Sequence, residues 1–234
     1  MPQVSQNPVI IVEGAGFWYS RYDEMKESLA KVIPVEKIFI LPVTMLDWIG
    51  FPPSPDKATN RIMKMIDETI EAVEKKYQGE PITIIAHSGG GTVAMIYLLG
   101  KEFQGDTYTR QGSVKKLITL GTPFHSQESY GKVKSDFIKQ NLTPEFFNRF
   151  EVISIVSDPY FGKLNGSLTE AACYYFYKSV SGQGDISGDG IVTVKSCFLD
   201  GARNIIIRGV EHLPTPMTKW YGAKEGVQQW QQYL

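Results

Sequence analysis

Six short runs along the chain read as strands, Val9–Val12, Ile38–Leu41, Pro81–Ala86, Val114–Gly121, Val152–Val156 and Asn204–Arg208, and the first two are wholly apolar. Apolar residues at every position, rather than at every second one, predict strands buried on both faces, as in a parallel sheet. Between them the spacing turns helical. Tyr22, Met25, Leu29 and Val32 share one face of a segment that Pro34 closes. Ala58, Ile62, Ile66, Ile70 (or Thr69), Val73 and Tyr77 share another, with Asp56 as the expected cap and Gly79 as terminator. A helix is predicted from the glycines after Ser88 to Gly100, one or two short helices within 124–150, and a closing helix from Ala223 to Leu234. Residues 42–55 read as an apolar, proline-rich loop, and 158–190 as irregular, rich in Tyr and Gly. Strand and helix alternate throughout with no repeat and no break in composition. The expectation is one α/β domain over residues 1–234, an open, mostly parallel sheet with helices on both faces.

In such sheets the functional crevice lies beyond the carboxyl ends of the strands, so the residues following each strand matter most. They are Glu13-Gly14-Ala15-Gly16 after the first, Ser88 after the third, Asp158 after the fifth and Gly209-Val210-Glu211-His212 after the sixth. Ser88 stands in Ala86-His87-Ser88-Gly89-Gly90, a G-x-S-x-G pattern with alanine in the first glycine position. Small neighbours permit the sharp strand-to-helix turn that lifts a serine hydroxyl out of the backbone. A plainer reading makes this a glycine-rich turn with Ser88 as a helix N-cap.

Composition narrows the field without deciding it. At 234 residues, 42% apolar and a net charge of −1, the chain is long enough for a sizeable core and gives no reason to expect nucleic acid as a partner. No apolar run approaches the ~18 residues of a membrane span, and the opening residues show no basic region followed by an apolar stretch, so the expectation is a cytoplasmic protein. Exposed aromatics leave room for membrane contact, but nothing requires it. Cys173 and Cys197 are then expected as two buried thiols.

Ile10-Ile11-Val12-Glu13-Gly14, Ala86–Gly90, Leu120-Gly121-Thr122-Pro123, and Gly188-Asp189-Gly190-Ile191-Val192 followed by Val210-Glu211-His212 together resemble the α/β-hydrolase superfamily. The likeness is to small lipase- and esterase-like members with little cap. The Trp220-Tyr221-Gly222 ending also resembles a cyanobacterial and plant group of lipase-like hydrolases. The first strand of these lipases usually ends in His-Gly, where this chain has Glu13-Gly14. The resemblance implies a serine hydrolase acting on small-molecule or lipid carboxylic esters. Ser88 would be the nucleophile and His212 the base, in preference to His87, beside the turn, and His125. The acid would be Asp189, whose segment resembles the Asp-Gly-x-Val of bacterial lipases, although counting from the fifth strand points to Asp158. The N–H groups of Gly89 and Ala15 would receive the oxyanion. An acyltransferase or thioesterase on the same triad, or a binding protein on the same scaffold, are the other readings.

Phe17, Trp18, Trp48 and Phe124, with Phe51 and Pro52, are candidates for the wall of an acyl pocket, and small lid elements would fall within 124–150 and 158–182. No metal and no organic cofactor is expected. Asp185-x-Ser187-x-Asp189-Gly190 matches half of a calcium loop, but Ser196 holds the twelfth position, where a bidentate acid is needed. Gly14-Ala15-Gly16 matches part of a dinucleotide fingerprint whose third glycine is replaced by Tyr19.

Overall fold

A computed structural model describes residues 7–16, 21–49, 54–215 and 218–234. Its strands are β1 (Val9–Val12), β2 (Ile38–Ile40), β3 (Ile82–His87), β4 (Val114–Leu120), β5 (Glu151–Ser157), β6 (Tyr160–Phe161), β7 (Ser187–Gly188) and β8 (Arg203–Ile207). All six predicted strands are present. They form one parallel sheet in the order β2-β1-β3-β4-β5-β8, while β6 and β7 pair antiparallel as a separate two-stranded ribbon. From β1 the chain first moves outward to β2, then returns to place β3 on the other side of β1. That reversal puts the crevice at the ends of β1 and β3, where the pairing Val12–Ala86 brings Glu13–Gly16 beside Ser88.

The helices are α1 (Tyr22–Leu29), α2 (Met45–Ile49), α3 (Pro55–Lys76), α4 (Gly89–Leu99), α5 (Ser129–Asn141), α6 (Phe146–Arg149), α7 (Leu168–Ser181), α8 (Val194–Cys197) and α9 (Lys224–Trp230). The sheet's two faces make two cores. Ile10, Val12, Ile84 and Ala86 face Ile62, Ile66, Val93 and Ile138 from α3, α4 and α5. Their alternates Val9, Ile11, Ile85, Ile118 and Ile153 face Met25, Leu29, Val227 and Trp230 from α1 and α9. Because α4 carries no charged residue and is buried from Gly90 to Leu99, it is held on all sides, and so is the turn that starts it.

Several expectations need correction. The segment read as irregular holds the 14-residue α7, fixed by a capping box between Ser167 and Glu170 and ended by Gly182 in the left-handed region. The loop over 42–55 contains α2. The position before the first turn of α3 is Ser54, with Pro55 opening the helix, so Asp56 lies inside it rather than capping it. The closing helix ends at Trp230 and tightens into a 3₁₀ turn over Gln231–Tyr233. Cys173 and Cys197 are buried free thiols.

Candidate active site

Ser88 has φ 51° and ψ −129°, outside the regions an L-residue prefers. What holds it there is crowding around the turn. Its N–H donates to Leu120 O at 2.9 Å, and the Thr122 hydroxyl donates to its carbonyl at 3.0 Å. A side chain at Gly90 would strike the carbonyl oxygens of Val12 and Glu13, and one at Gly91 would strike the Thr122 side chain. Gly90 therefore needs to be glycine for a steric reason, whereas Ala86, fully buried in β3, does not.

The hydroxyl of Ser88 lies 2.9 Å from His212 Nε2, and His212 Nδ1 lies 2.8 Å from Asp189 Oδ2. Asp189 and His212 are almost completely buried, at 1% and 4% exposure, while Ser88 is half-buried. Asp189 follows β7 rather than a strand of the main sheet. Its loop is folded back onto β8's end: the His212 N–H donates to Asp189 O at 3.0 Å. Three further donors fix the carboxylate. The N–H groups of Ile191 (3.2 Å) and Val192 (3.0 Å) reach Oδ1, and the Tyr221 hydroxyl reaches Oδ2 at 2.8 Å. Tyr221 in turn accepts the Ser157 N–H at 3.0 Å. Burial and the adjacent Asp189 push the Tyr221 phenol well above its ordinary value, so it remains a donor. Gly121, at φ +56°, leaves the space these groups occupy, because a Cβ there would sit 2.7 Å from Asp189 Oδ2 and 3.0 Å from His212 Nδ1.

Asp158 is elsewhere. It meets the exposed Arg208 at 3.5 Å, while the carboxylate bonded to His212 is that of Asp189. His87 is buried beside the elbow with its Nδ1 2.7 Å from the Tyr22 hydroxyl, and burial with the nearby His212 holds it well below its ordinary value. His125 is exposed, and its backbone is tied to Ser196 O.

Ser88 opens into two cavities. One, of ≈290 Å³, is bounded by Ala15, Gly89, Trp48, Lys134, Val180 and Ile191 among others; the second, of ≈250 Å³, by Gly14, Ala15, Tyr22, His87, His212 and Leu213. Ala15 and Gly89 thus stand at the serine, and the N–H of Gly89, opening α4, has no acceptor within its own helix. Trp48 also lines the first cavity. Phe124 does not. It is 1% exposed, packed in the core against the α3–α6 side, and borders a separate ≈470 Å³ cavity with Ile138, Leu142 and Phe147. Phe17, Trp18, Phe51 and Pro52 lie outside the described residues.

Among the described residues no cluster of three or more His, Cys, Asp or Glu could hold a metal ion. The Ser196 side chain is engaged with Thr193 in the cap of α8. Also among the described residues, no helix is long and apolar enough to cross a membrane.

The sequence missed Tyr22 and Tyr221, the two phenols hydrogen-bonded to His87 and to Asp189. Tyr22 reads only as one more residue of an apolar helix face, and Tyr221 only as part of a recognisable ending.

The family model of the α/β-hydrolase fold matches residues 7–155. The sequence matches no curated protein. In structure the chain is similar to the lin2722 product of Listeria innocua, with 16% identity and a TM-score of 0.51 over 97% of this chain and 93% of that one. It is also similar to EstA from Clostridium botulinum, with 12% identity and a TM-score of 0.51 over 99% and 87%. Phospholipase PlaB from Legionella pneumophila aligns at 15% identity and a TM-score of 0.55, over 88% of this chain but 53% of that one. At these identities the likeness is one of fold. The narrower likeness to cyanobacterial and plant hydrolases finds no support in these comparisons. With the family model covering well over half of its length, the chain belongs to the α/β-hydrolase fold family.

Proposed function

We propose that this protein is a serine hydrolase that cleaves carboxylic esters through an acyl-enzyme. The observation that carries the reading is the unbroken hydrogen-bond chain from Ser88 through His212 to the buried Asp189. A serine hydroxyl becomes nucleophilic when a neighbouring base takes its proton. Here Asp189 would hold His212 with its proton on Nδ1, leaving Nε2 free to accept from Ser88. Oγ attacks the ester carbonyl as its proton passes to Nε2, and the oxyanion that forms is received by the N–H groups of Ala15 and Gly89. Collapse breaks the bond to the alcohol oxygen, which leaves with the proton from Nε2. Water then attacks the acyl-enzyme, giving its proton to Nε2, and the acid departs as Ser88 regains a proton. The leaving oxygen must come within reach of Nε2, so the ≈250 Å³ cavity bordered by His212 suits the alcohol and the ≈290 Å³ cavity beside Trp48 suits the acyl chain. No step calls for a metal or an organic cofactor. A cytoplasmic location and action as a single domain are part of the same proposal.

The test is hydrolysis of p-nitrophenyl esters of graded acyl length, with fluorophosphonate labelling, on wild type and Ser88→Ala. Turnover and labelling in wild type, both abolished in the variant, are expected. A wild type that neither turns over nor takes the label, or a variant that keeps its turnover, overturns the reading.

A further inference from the structure

The proposed nucleophile elbow and the loop carrying Ala15 belong to different strands, so something must hold one against the other. Glycine permits the approach but does not enforce it: a Cβ on Gly14 would lie 2.9 Å from Ser88 Cβ and 3.0 Å from His87 Nδ1. The Gly14 N–H donates to the Tyr22 hydroxyl oxygen at 2.8 Å. With its oxygen accepting there, Tyr22 has one proton to give, and His87 Nδ1 stands 2.7 Å away. With Nδ1 unprotonated, the chain runs from Gly14 N–H to the Tyr22 oxygen and from the Tyr22 O–H to His87 Nδ1 as the final acceptor. This ties the loop after β1 to the residue next to Ser88, with α1 supplying the link. Tyr22 is 2% exposed, His87 is 3% exposed, and the fully buried Trp220 packs edge-on against both, with ring centroids at 5.2 and 5.7 Å. The arrangement needs His87 to keep Nδ1 unprotonated. Burial and the neighbouring His212, with ring centroid 4.9 Å away, keep the ring neutral. Its single proton then sits on Nε2, a buried nitrogen that makes no hydrogen bond among the described residues.

We propose that Tyr22 and His87 are positioning residues for the oxyanion donors: through the Gly14 N–H they set the orientation of the following peptide, whose N–H belongs to Ala15. The proposal rests on the hydrolase reading above. The imidazole of His87 is thus no spare base for Ser88 but the acceptor at the end of a chain that borders the ≈250 Å³ cavity and takes no part in the proton transfers. Releasing the chain should leave substrate binding nearly intact while weakening what is bound only in the transition state.

Tyr22→Phe removes the hydroxyl and keeps the ring. Losing one oxyanion donor outright costs about 10²–10³ in kcat, so a donor left in place but unaligned is expected to cost roughly 10–100-fold in kcat, with KM changed less than about threefold. The affinity for a trifluoromethyl ketone, which forms the tetrahedral adduct on Ser88, should fall by the same factor. His87→Asn and His87→Leu form the decisive pair. The Asn side-chain oxygen can take the Tyr22 proton where Nδ1 did, so Asn should recover most of the kcat that Leu loses. Imidazole ¹⁵N NMR on wild type should show His87 neutral with its proton on Nε2. If Tyr22→Phe keeps wild-type kcat and ketone affinity, if Asn and Leu are equivalent, or if Nδ1 carries the proton, the proposal falls while the hydrolase reading stands. A wild type inert toward both esters and fluorophosphonate brings down the hydrolase reading, and this proposal with it.

Discussion

Replacing Asp189 by Asn tests the proposed base most directly, because the structure dictates how the amide must sit. The position of Oδ1 receives two backbone N–H groups, from Ile191 and Val192. Only the amide oxygen can accept both, so the amide nitrogen is forced into the place of Oδ2. There it faces His212 Nδ1 and presents a donor where the carboxylate presented an acceptor. His212 must answer by accepting at Nδ1 and carrying its proton on Nε2, pointed at Ser88 Oγ. The imidazole is then the wrong tautomer to take the serine proton. The expected loss is about 10⁴ in kcat/KM, or about 5 kcal/mol of transition-state stabilisation. Stability should fall less, by about 1–3 kcal/mol, since the Tyr221 hydroxyl also loses its acceptor on Oδ2. Ester kinetics below the melting point of the variant separate the two effects. Asp158→Asn is the control: its ion pair with the largely exposed Arg208 is screened by water, and activity should change less than about twofold. Asp189→Asn within tenfold of wild type, or Asp158→Asn as damaging as Asp189→Asn, would refute the reasoning.

Two other perturbations probe how tightly the site is packed and what its surroundings tolerate. Gly121→Ala would add a Cβ 2.7 Å from Asp189 Oδ2 and 3.0 Å from His212 Nδ1 at a positive φ, so the acid and base must shift; a fall of about 10² in kcat and slower fluorophosphonate labelling are expected. Glu13, whose carboxyl is pushed up to about 8 by burial, with Asp23 adding to the shift, stays protonated in the folded protein at pH values where the unfolded chain has ionised. Its contribution to stability is therefore complete below pH 4.5 and is lost as pH rises towards 8. Glu13→Gln should accordingly melt higher than wild type at pH 9, with the difference closing at pH 4.5, as read from thermal unfolding across that range.

How much of this was legible in the sequence depends on whether a role leaves a local trace. The strands did, because burial on both faces forces runs such as Ile10-Ile11-Val12 that no surface segment needs. The elbow did as well, since Gly90 is required by its close approach to the backbone carbonyls of Val12 and Glu13. Helix α7 leaves a partial trace: Ser167-Leu168-Thr169-Glu170 is a capping-box pattern, but a helix with only Cys173 and Tyr177 buried shows almost no apolar stripe to go with it. Phe124 leaves a trace that does not discriminate. A large aromatic after a strand is equally suited to core and pocket, and only three-dimensional packing decides between them. Tyr22 and Tyr221 left no trace at all, though they do the same thing on the two sides of His212. Each accepts a backbone N–H, from Gly14 or from Ser157, and each passes its own proton inward, to His87 or to Asp189. A phenol is the side chain for that task, since it fills an apolar core with its ring and offers one acceptor and one donor at a single atom. From sequence the ring is all that periodicity can see. The hydroxyl acquires its meaning only when the fold brings it to a backbone N–H eight residues away in one case and 64 in the other.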